Sequence, residues 1–572
     1  MKFSLLGLLL INLVSYAQLF PGKNYPKGYF SWPVDAKIAL AANFGELRPN
    51  HYHMGLDCKS DQVENRPVMA AAEGYIAKVK IEPFGFGRCI YINHPNGLTT
   101  LYAHLNDFYP ALEQYITNKQ YQLKSWNVFL DLPAGMFPVK KGQFIAFSGN
   151  TGGSQGPHVH FEIRETKTDK VLNPLLFGFP LADNIAPDIL RLAVYDRTIS
   201  TYEQRPRFFS LKKINGVFTT SPSLVVVNTP SISFAITAYD RYSGSTNKNG
   251  IFQAILSDNE KPLAGFQMDG ISYDETRYLN AHIDYKLHNS GASYVQHLGN
   301  LPGYTNGIYN NQLGNGVVNL EDGLVHSIKI AVKDANGNSS VLQLTVQYNG
   351  LKPAQKKALA KSDQQHREFR PGFINVFENA QVRFYLPENA LYDSIRFTFK
   401  EVIPTQGNPI YQIHNGDIPI HSLFAINIKN PIARFPNKMV MHRSWRNKND
   451  YSKAVQVLTG YGKDWFRASF KAFGNFQLIE DTIPPSITAI GFREGMNISK
   501  QNRIAFVIKD DTEELENFTA LLDGKWIRFS NDKGAVFIYR LDEHCPPGEH
   551  ELKISVADCV GNKSERTYHF TR

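Results

Sequence analysis

Cysteine is scarce in this chain, with Cys58, Cys89, Cys545 and Cys559 the only four among 572 residues. That is too few for a disulfide-stapled scaffold, so apolar cores must hold the fold. Two lie near each end of the chain, which makes Cys58 with Cys89 and Cys545 with Cys559 the natural pairings, and buried free thiols the alternative. Long apolar runs are lacking as well. The one present, Phe3 to Val14, follows Lys2 and precedes Ser15-Tyr16-Ala17. This is the layout of a secretory signal peptide cleaved after Ala17, and it is short for a membrane span. No cysteine follows the cleavage site to carry a lipid. The mature protein is therefore expected in a periplasm, cell envelope or extracellular space, without a transmembrane segment. Basic clusters interleaved with aromatics are also missing, which sets nucleic acid aside despite a formal charge of +9. The charge suits polyanionic surroundings such as cell-wall polymers.

The length exceeds what one core supports and predicts three or four domains. With 42% hydrophobic, 20% charged and 12% aromatic residues, the composition suits folded, strand-rich domains. From residue 22 to 183, stretches such as RPVMAAAEGYIAKVKI and GRCIYINHPNG alternate or cluster apolar residues between Gly, Asn and Pro. No long amphipathic helix stands out there, and the fold class expected is all-β, a sheet or barrel-like domain followed by β-sandwich modules. Later, Asp183-Asn-Ile-Ala-Pro-Asp-Ile recurs as Asp481-Thr-Ile-Pro-Pro-Ser-Ile, and IKIAVKDANGNSS recurs as LKISVADCVGNKS. Matched openings and closings around strand-rich sequence imply two β-sandwich modules, 184–350 and 481–572, which resemble the immunoglobulin-like repeats of secreted bacterial proteins. Between them, 351–371 reads as a polar linker and 372–480 as a β-rich unit of open type.

Three histidine-bearing stretches lie in 22–183: FGELRPNHYHMGLD, LYAHL and SGNTGGSQGPHVHFEIR. A hydrolytic zinc site needs neutral imidazoles, usually a carboxylate, and one open position, with a base and a donor alongside. In His158-Val159-His160, period-two alternation puts both imidazoles on one strand face. A lone His-x-His pair is weak, since His51-Tyr52-His53 is another. A Gly-rich entry into the strand strengthens it by presenting the pair to a cleft.

Together, His53-Met54-Gly55-Leu56-Asp57, Tyr102-Ala103-His104 and Gly156-Pro157-His158-Val159-His160-Phe161-Glu162 resemble the motifs of the LytM/lysostaphin-type zinc endopeptidases. The supporting Ala71-x-x-Gly74, Lys141-Gly142-Gln143, Ser148-Gly149-Asn150-Thr151-Gly152 and Asn173-Pro174 fit the same family. The resemblance covers about 150 residues and implies that His53, Asp57 and His160 bind one zinc ion while His104 and His158 do proton and oxyanion work. It implies hydrolysis of peptide cross-links in peptidoglycan. A non-catalytic or partner-activated regulator of wall hydrolases is the alternative, and the C-terminal modules are expected to act at the wall or on a protein partner. His51 is set aside because only His53 stands four residues before an Asp. His94 is expected in a surface turn, and Tyr102 either lines the cleft or packs as a strand residue. Glu162 is expected to face away from His160, as a supporting or packing residue. Residues 106–139 lengthen the gap after His104 beyond a short link, as a lid, a substrate wall or an occluding element would.

Overall fold

A computed structural model describes residues 19–20, 22–310, 313–350, 367–430, 432–459, 462–512 and 514–572. The signal-peptide assignment and most of the 351–371 linker lie outside the described residues. Strands dominate every unit, and among the described residues no helix is long and apolar enough to cross a membrane.

The first unit is built on an antiparallel sheet whose main strands are β1 (Leu40–Ala42), β2 (Leu56–Lys59), β3 (Gly74–Ile81), β4 (Arg88–Asn93), β5 (Leu98–Ala103), β6 (Val128–Asp131) and β7 (His158–Glu165). In space they run β1-β2-β7-β5-β4-β3-β6. A smaller sheet of Pro67–Met69, Phe144–Ser148 and Leu105–Phe108 covers one face. Alternation along β7 sorts its side chains: Val159, Phe161 and Ile163 join the apolar core with Ile76, Ile90, Val68 and Ile145. His158, His160 and Glu162 therefore point to the opposite face.

The segment 106–139 corrects the helix-free expectation, because it folds into α1 (Pro110–Leu123) followed by β6. Pro110 opens the helix where no N–H is required, and Lys124 closes it in the left-handed conformation. Only Leu112, Ile116 and Gln120 are buried along it, one narrow stripe at four-residue spacing. Two apolar residues and a glutamine leave too weak a periodic signal to read as an amphipathic helix.

Beyond it, strands from Asp188–Asp196 to Ser339–Tyr348 form a large sheet, and residues 375–480 form two five-stranded sheets. One apolar cluster runs through both of these units and takes in Phe44, Tyr52 and Met54 of the first. The last unit packs a three-stranded sheet on a five-stranded one over its own core, including Phe506, Tyr539 and Ile554. It then returns to the first unit. The Tyr121 ring of α1 stacks on His544 at 3.8 Å, and its hydroxyl donates to Asp542 at 3.0 Å. Arg528 donates to the Gln120 side-chain oxygen Oε1 at 2.9 Å. The insertion is thus a bracket gripped by the C-terminal unit. All four cysteines are buried free thiols, so neither suggested disulfide forms.

Ile116 is completely buried. Ile116→Ala is expected to cost about 2–5 kcal/mol, read as a lower denaturant midpoint of the first unit. An unchanged midpoint would remove α1 from that core.

Candidate metal centre

His53 follows the short strand His51–Tyr52, and Asp57 lies on β2 directly opposite His160 of β7. The chain between them must pass close over β7. A Cβ at Gly55 would stand 2.5 Å from the Phe161 carbonyl and 2.9 Å from the His160 ring, so only glycine fits. On its other side β7 pairs with β5, Ala103 facing His160. His104, the next residue, has φ of 60°, a left-handed kink that ends the strand. Its N–H donates to the Phe86 carbonyl.

The hydrogen bonds fix which nitrogen of each buried imidazole carries the proton. His53 Nδ1 stands 2.7 Å from the Asn43 carbonyl oxygen, which can only accept, so Nδ1 donates. His160 Nε2 stands 2.9 Å from Glu162 Oε1 and donates likewise. The remaining nitrogens, His53 Nε2 and His160 Nδ1, face each other at 3.0 Å and lie 2.9 and 3.0 Å from Asp57 Oδ1. Three lone-pair donors converging in this way require a cation or a shared proton between them. Their spacing is close to the ~3.3 Å edge of a tetrahedron with 2.0–2.1 Å metal–nitrogen bonds. Among the described residues no other cluster of potential ligands holds two imidazoles.

Electrostatics follow the same pairing. Burial raises the Asp57 carboxyl, but the surrounding His53, His158 and His160 outweigh it and hold it well below the usual range. Burial opposes charge on Glu162 too, yet Arg164 and His160 bring it down to about 2. His160 is pulled down by burial and up by its two carboxylate partners, which win and place it at about 9. Burial lowers His53. A cation at the three donors would displace the proton His160 shares with Asp57.

His104 and His158 flank this cluster with ring centroids 4.8 Å apart. Each turns Nδ1 to a backbone carbonyl, Thr151 at 2.9 Å and Gly156 at 2.8 Å, so Nδ1 donates in both rings. His158 Nε2 lies 3.3 Å from Asp57 Oδ1. Burial, then His158 and His160, push His104 down to about 3, so it is neutral at ordinary pH.

All five expected residues thus converge, two expectations change and the alternative left open for Tyr102 is decided. Glu162 does not face away from His160: residues two apart on a strand share a face, and it accepts directly from His160. A carboxylate so placed fixes the tautomer and orientation of its imidazole, as carboxylates behind ligating histidines do at metal sites. His94 is buried rather than on the surface, held by Glu73 O at 2.7 Å and Thr100 Oγ1 at 2.8 Å. Tyr102 packs in the core, its hydroxyl taking the Ala71 N–H at 2.7 Å. His51 is exposed and outside the cluster. Tyr273, from the second unit, donates its hydroxyl to Glu162, a contact no local sequence pattern announces.

Residues 51–121 and 136–174 match the model of Peptidase family M23, and residues 369–481 match that of the Zu5-like domain. The first unit carries a Peptidase family M23 domain, and the gap in the match falls within the segment of α1 and β6. An uncharacterized metalloprotease of Haemophilus influenzae is 31% identical over 168 residues, 28% of this chain and 29% of that protein. The DD-carboxypeptidase/endopeptidase Mpg of Neisseria meningitidis is 33% identical over 128 residues, 22% of this chain and 23% of that protein. The chain thus spans less than a third of these relatives' length. Among solved structures, the catalytic domain of the antimicrobial peptidase lysostaphin from Staphylococcus simulans is 24% identical, with a TM-score of 0.18, covering 24% of this chain and 87% of that one.

Removing single donors tests the arrangement. Elemental analysis of His160→Ala is expected to find no bound divalent metal, while His104→Ala retains it and Glu162→Gln weakens its affinity about 10–100-fold. If His104→Ala emptied the site, the donor set would be wrong.

Proposed function

We propose that this protein is an exported zinc metalloendopeptidase that hydrolyses peptide cross-links of bacterial peptidoglycan. His53 Nε2, Asp57 Oδ1 and His160 Nδ1 would hold one zinc ion. The observation that carries the reading is the inward convergence of these three lone pairs beside two imidazoles that are not needed as ligands. The match to Peptidase family M23 and the metalloprotease and endopeptidase names of its relatives support it.

When bound with an open position, zinc supplies a Lewis acid for the scissile carbonyl and acidifies water. The protein's own residues do the rest. Asp57 lends the site negative charge, and the imidazole–carboxylate pair His160–Glu162 keeps Nδ1 turned inward. His104, its Nδ1 bound to the Thr151 carbonyl, keeps Nε2 as a lone pair, and His158 Nε2 stands beside Asp57 Oδ1. One accepts the proton of the attacking water at Nε2 and, so protonated, can pass it to the leaving amine, while the other hydrogen-bonds the developing oxyanion in the form that carries a proton on Nε2. The carbonyls of Thr151 and Gly156 hold both rings in place through Nδ1. The C-terminal units would position the enzyme at the wall or on a protein partner.

Incubating the mature protein with purified peptidoglycan should release cross-link-cleaved muropeptides, identified by mass. A chelator should abolish their release and added zinc restore it, and His158→Ala should lower the rate by about 10²-fold or more. Muropeptide profiles unchanged by the protein, with metal confirmed bound, would rule the activity out.

A further inference from the structure

The internal repeat seen in the sequence places the same acidic residues at the same places in two units. Asp183 and Asp481 open them. Asp240 and Asp510 stand just past the strands Ser231–Tyr239 and Arg503–Lys509. Asp334 and Asp558 begin the matching Asp-x-x-Gly-Asn turns, and the hydrogen bonding there is duplicated. Asp334 Oδ1 accepts the N–H groups of Asn336 and Asn338, and Asp558 Oδ1 those of Val560 and Asn562. The Asn338 and Asn562 amides each donate to their turn aspartate at 2.7 Å and to the backbone carbonyl of the opening aspartate, Asp183 or Asp481.

What these bonds leave over is similar in the two copies, except that the third carboxylate of the second is the exposed Asp511 in place of the turn aspartate Asp558. Carboxylate oxygens of Asp183, Asp240 and Asp334 lie within 4.8 Å of one another, as do those of Asp481, Asp510 and Asp511. Asp183 Oδ2 and both oxygens of Asp240 are buried without a hydrogen-bond partner, and so are Asp481 Oδ2 and Asp510 Oδ1. Asp240 is 1% exposed and Asp481 4%. Burial together with neighbouring carboxylates pushes Asp240 up to about 7 and Asp481 up to about 6. Converging, buried, unpartnered anionic oxygens are costly unless a cation neutralises them. Recurrence of an opening and a strand-end aspartate with unpartnered buried oxygens in both units argues that these oxygens are kept for a ligand.

We propose that each nest is a calcium site, formed by Asp183, Asp240 and Asp334 in one unit and by Asp481, Asp510 and Asp511 in the other. Every ligand offered is a carboxylate oxygen, which selects a hard cation rather than zinc. The ligands come from loops and strand ends, and such adaptable oxygen sets suit calcium better than the strict octahedron of magnesium. Asp183 leaves the peptidase unit and Asp481 leaves the Zu5-like unit, so a bound ion would stiffen the entry into each following module. These sites are separate from the His53, Asp57 and His160 cluster and do not depend on the activity proposed for it.

Equilibrium dialysis of the full mature chain against millimolar calcium, followed by elemental analysis, should find two calcium ions per chain. Asp240→Asn should remove one, Asp510→Asn the other, and the double variant both. Calcium should raise the melting temperature of the wild type but not of the double variant. Without calcium the double variant should melt no lower than the wild type, because a repulsive charge has been removed from each nest. Absence of bound calcium, two ions retained by the double variant, or equal binding of magnesium would each overturn the proposal.

Discussion

The candidate centre depends on one hydrogen bond, from His160 Nε2 to Glu162. Because the carboxylate takes the outer nitrogen, His160 must turn Nδ1 toward Asp57 and His53, and the Asn43 carbonyl imposes the matching choice on His53. The position of β7 between β2 and β5 makes this possible. One neighbour delivers Asp57 opposite His160, and the other ends at His104. A single strand thereby supplies a donor, its supporting carboxylate and one of the two flanking imidazoles.

The later units reach this machinery from two directions. Tyr273 donates to Glu162, and its ring lies 4.9 Å from the Arg164 guanidinium, which itself donates to Glu162 at 2.7 Å. From the last unit, Lys533 donates to the Ser154 carbonyl at 2.8 Å, and Ser154 Oγ lies 3.2 Å from His158 Nδ1. The C-terminal units therefore touch the groups that orient His160 and His158. They are physically coupled to the site, which a free tether would not be, and the extended apolar core shared by the middle units keeps that geometry from loosening.

The residues of the candidate centre were legible through motifs that resemble a known family's, and those motifs are short. His53 and Asp57 lie four residues apart, and His158 and His160 two apart on a strand. The all-β class followed from alternation and turn residues. Legibility failed where the signal was long-range or diluted. Helix α1 buries two apolar residues and a glutamine whose amide donates to the Trp126 carbonyl, a pattern that reads as polar sequence. Tyr273 meets Glu162 across 111 residues of chain. His94 sits in a turn signature, yet its ring folds inward onto Thr100. The side assigned to Glu162 was a misapplied period, not missing information.

Zinc-edge anomalous diffraction from crystals grown with zinc tests the central claim most directly. The account predicts one strong peak within bonding distance of His53 Nε2, Asp57 Oδ1 and His160 Nδ1, with His104 and His158 beyond it. A peak ligated by His104 or His158 in place of these donors, or no peak between them, would contradict it.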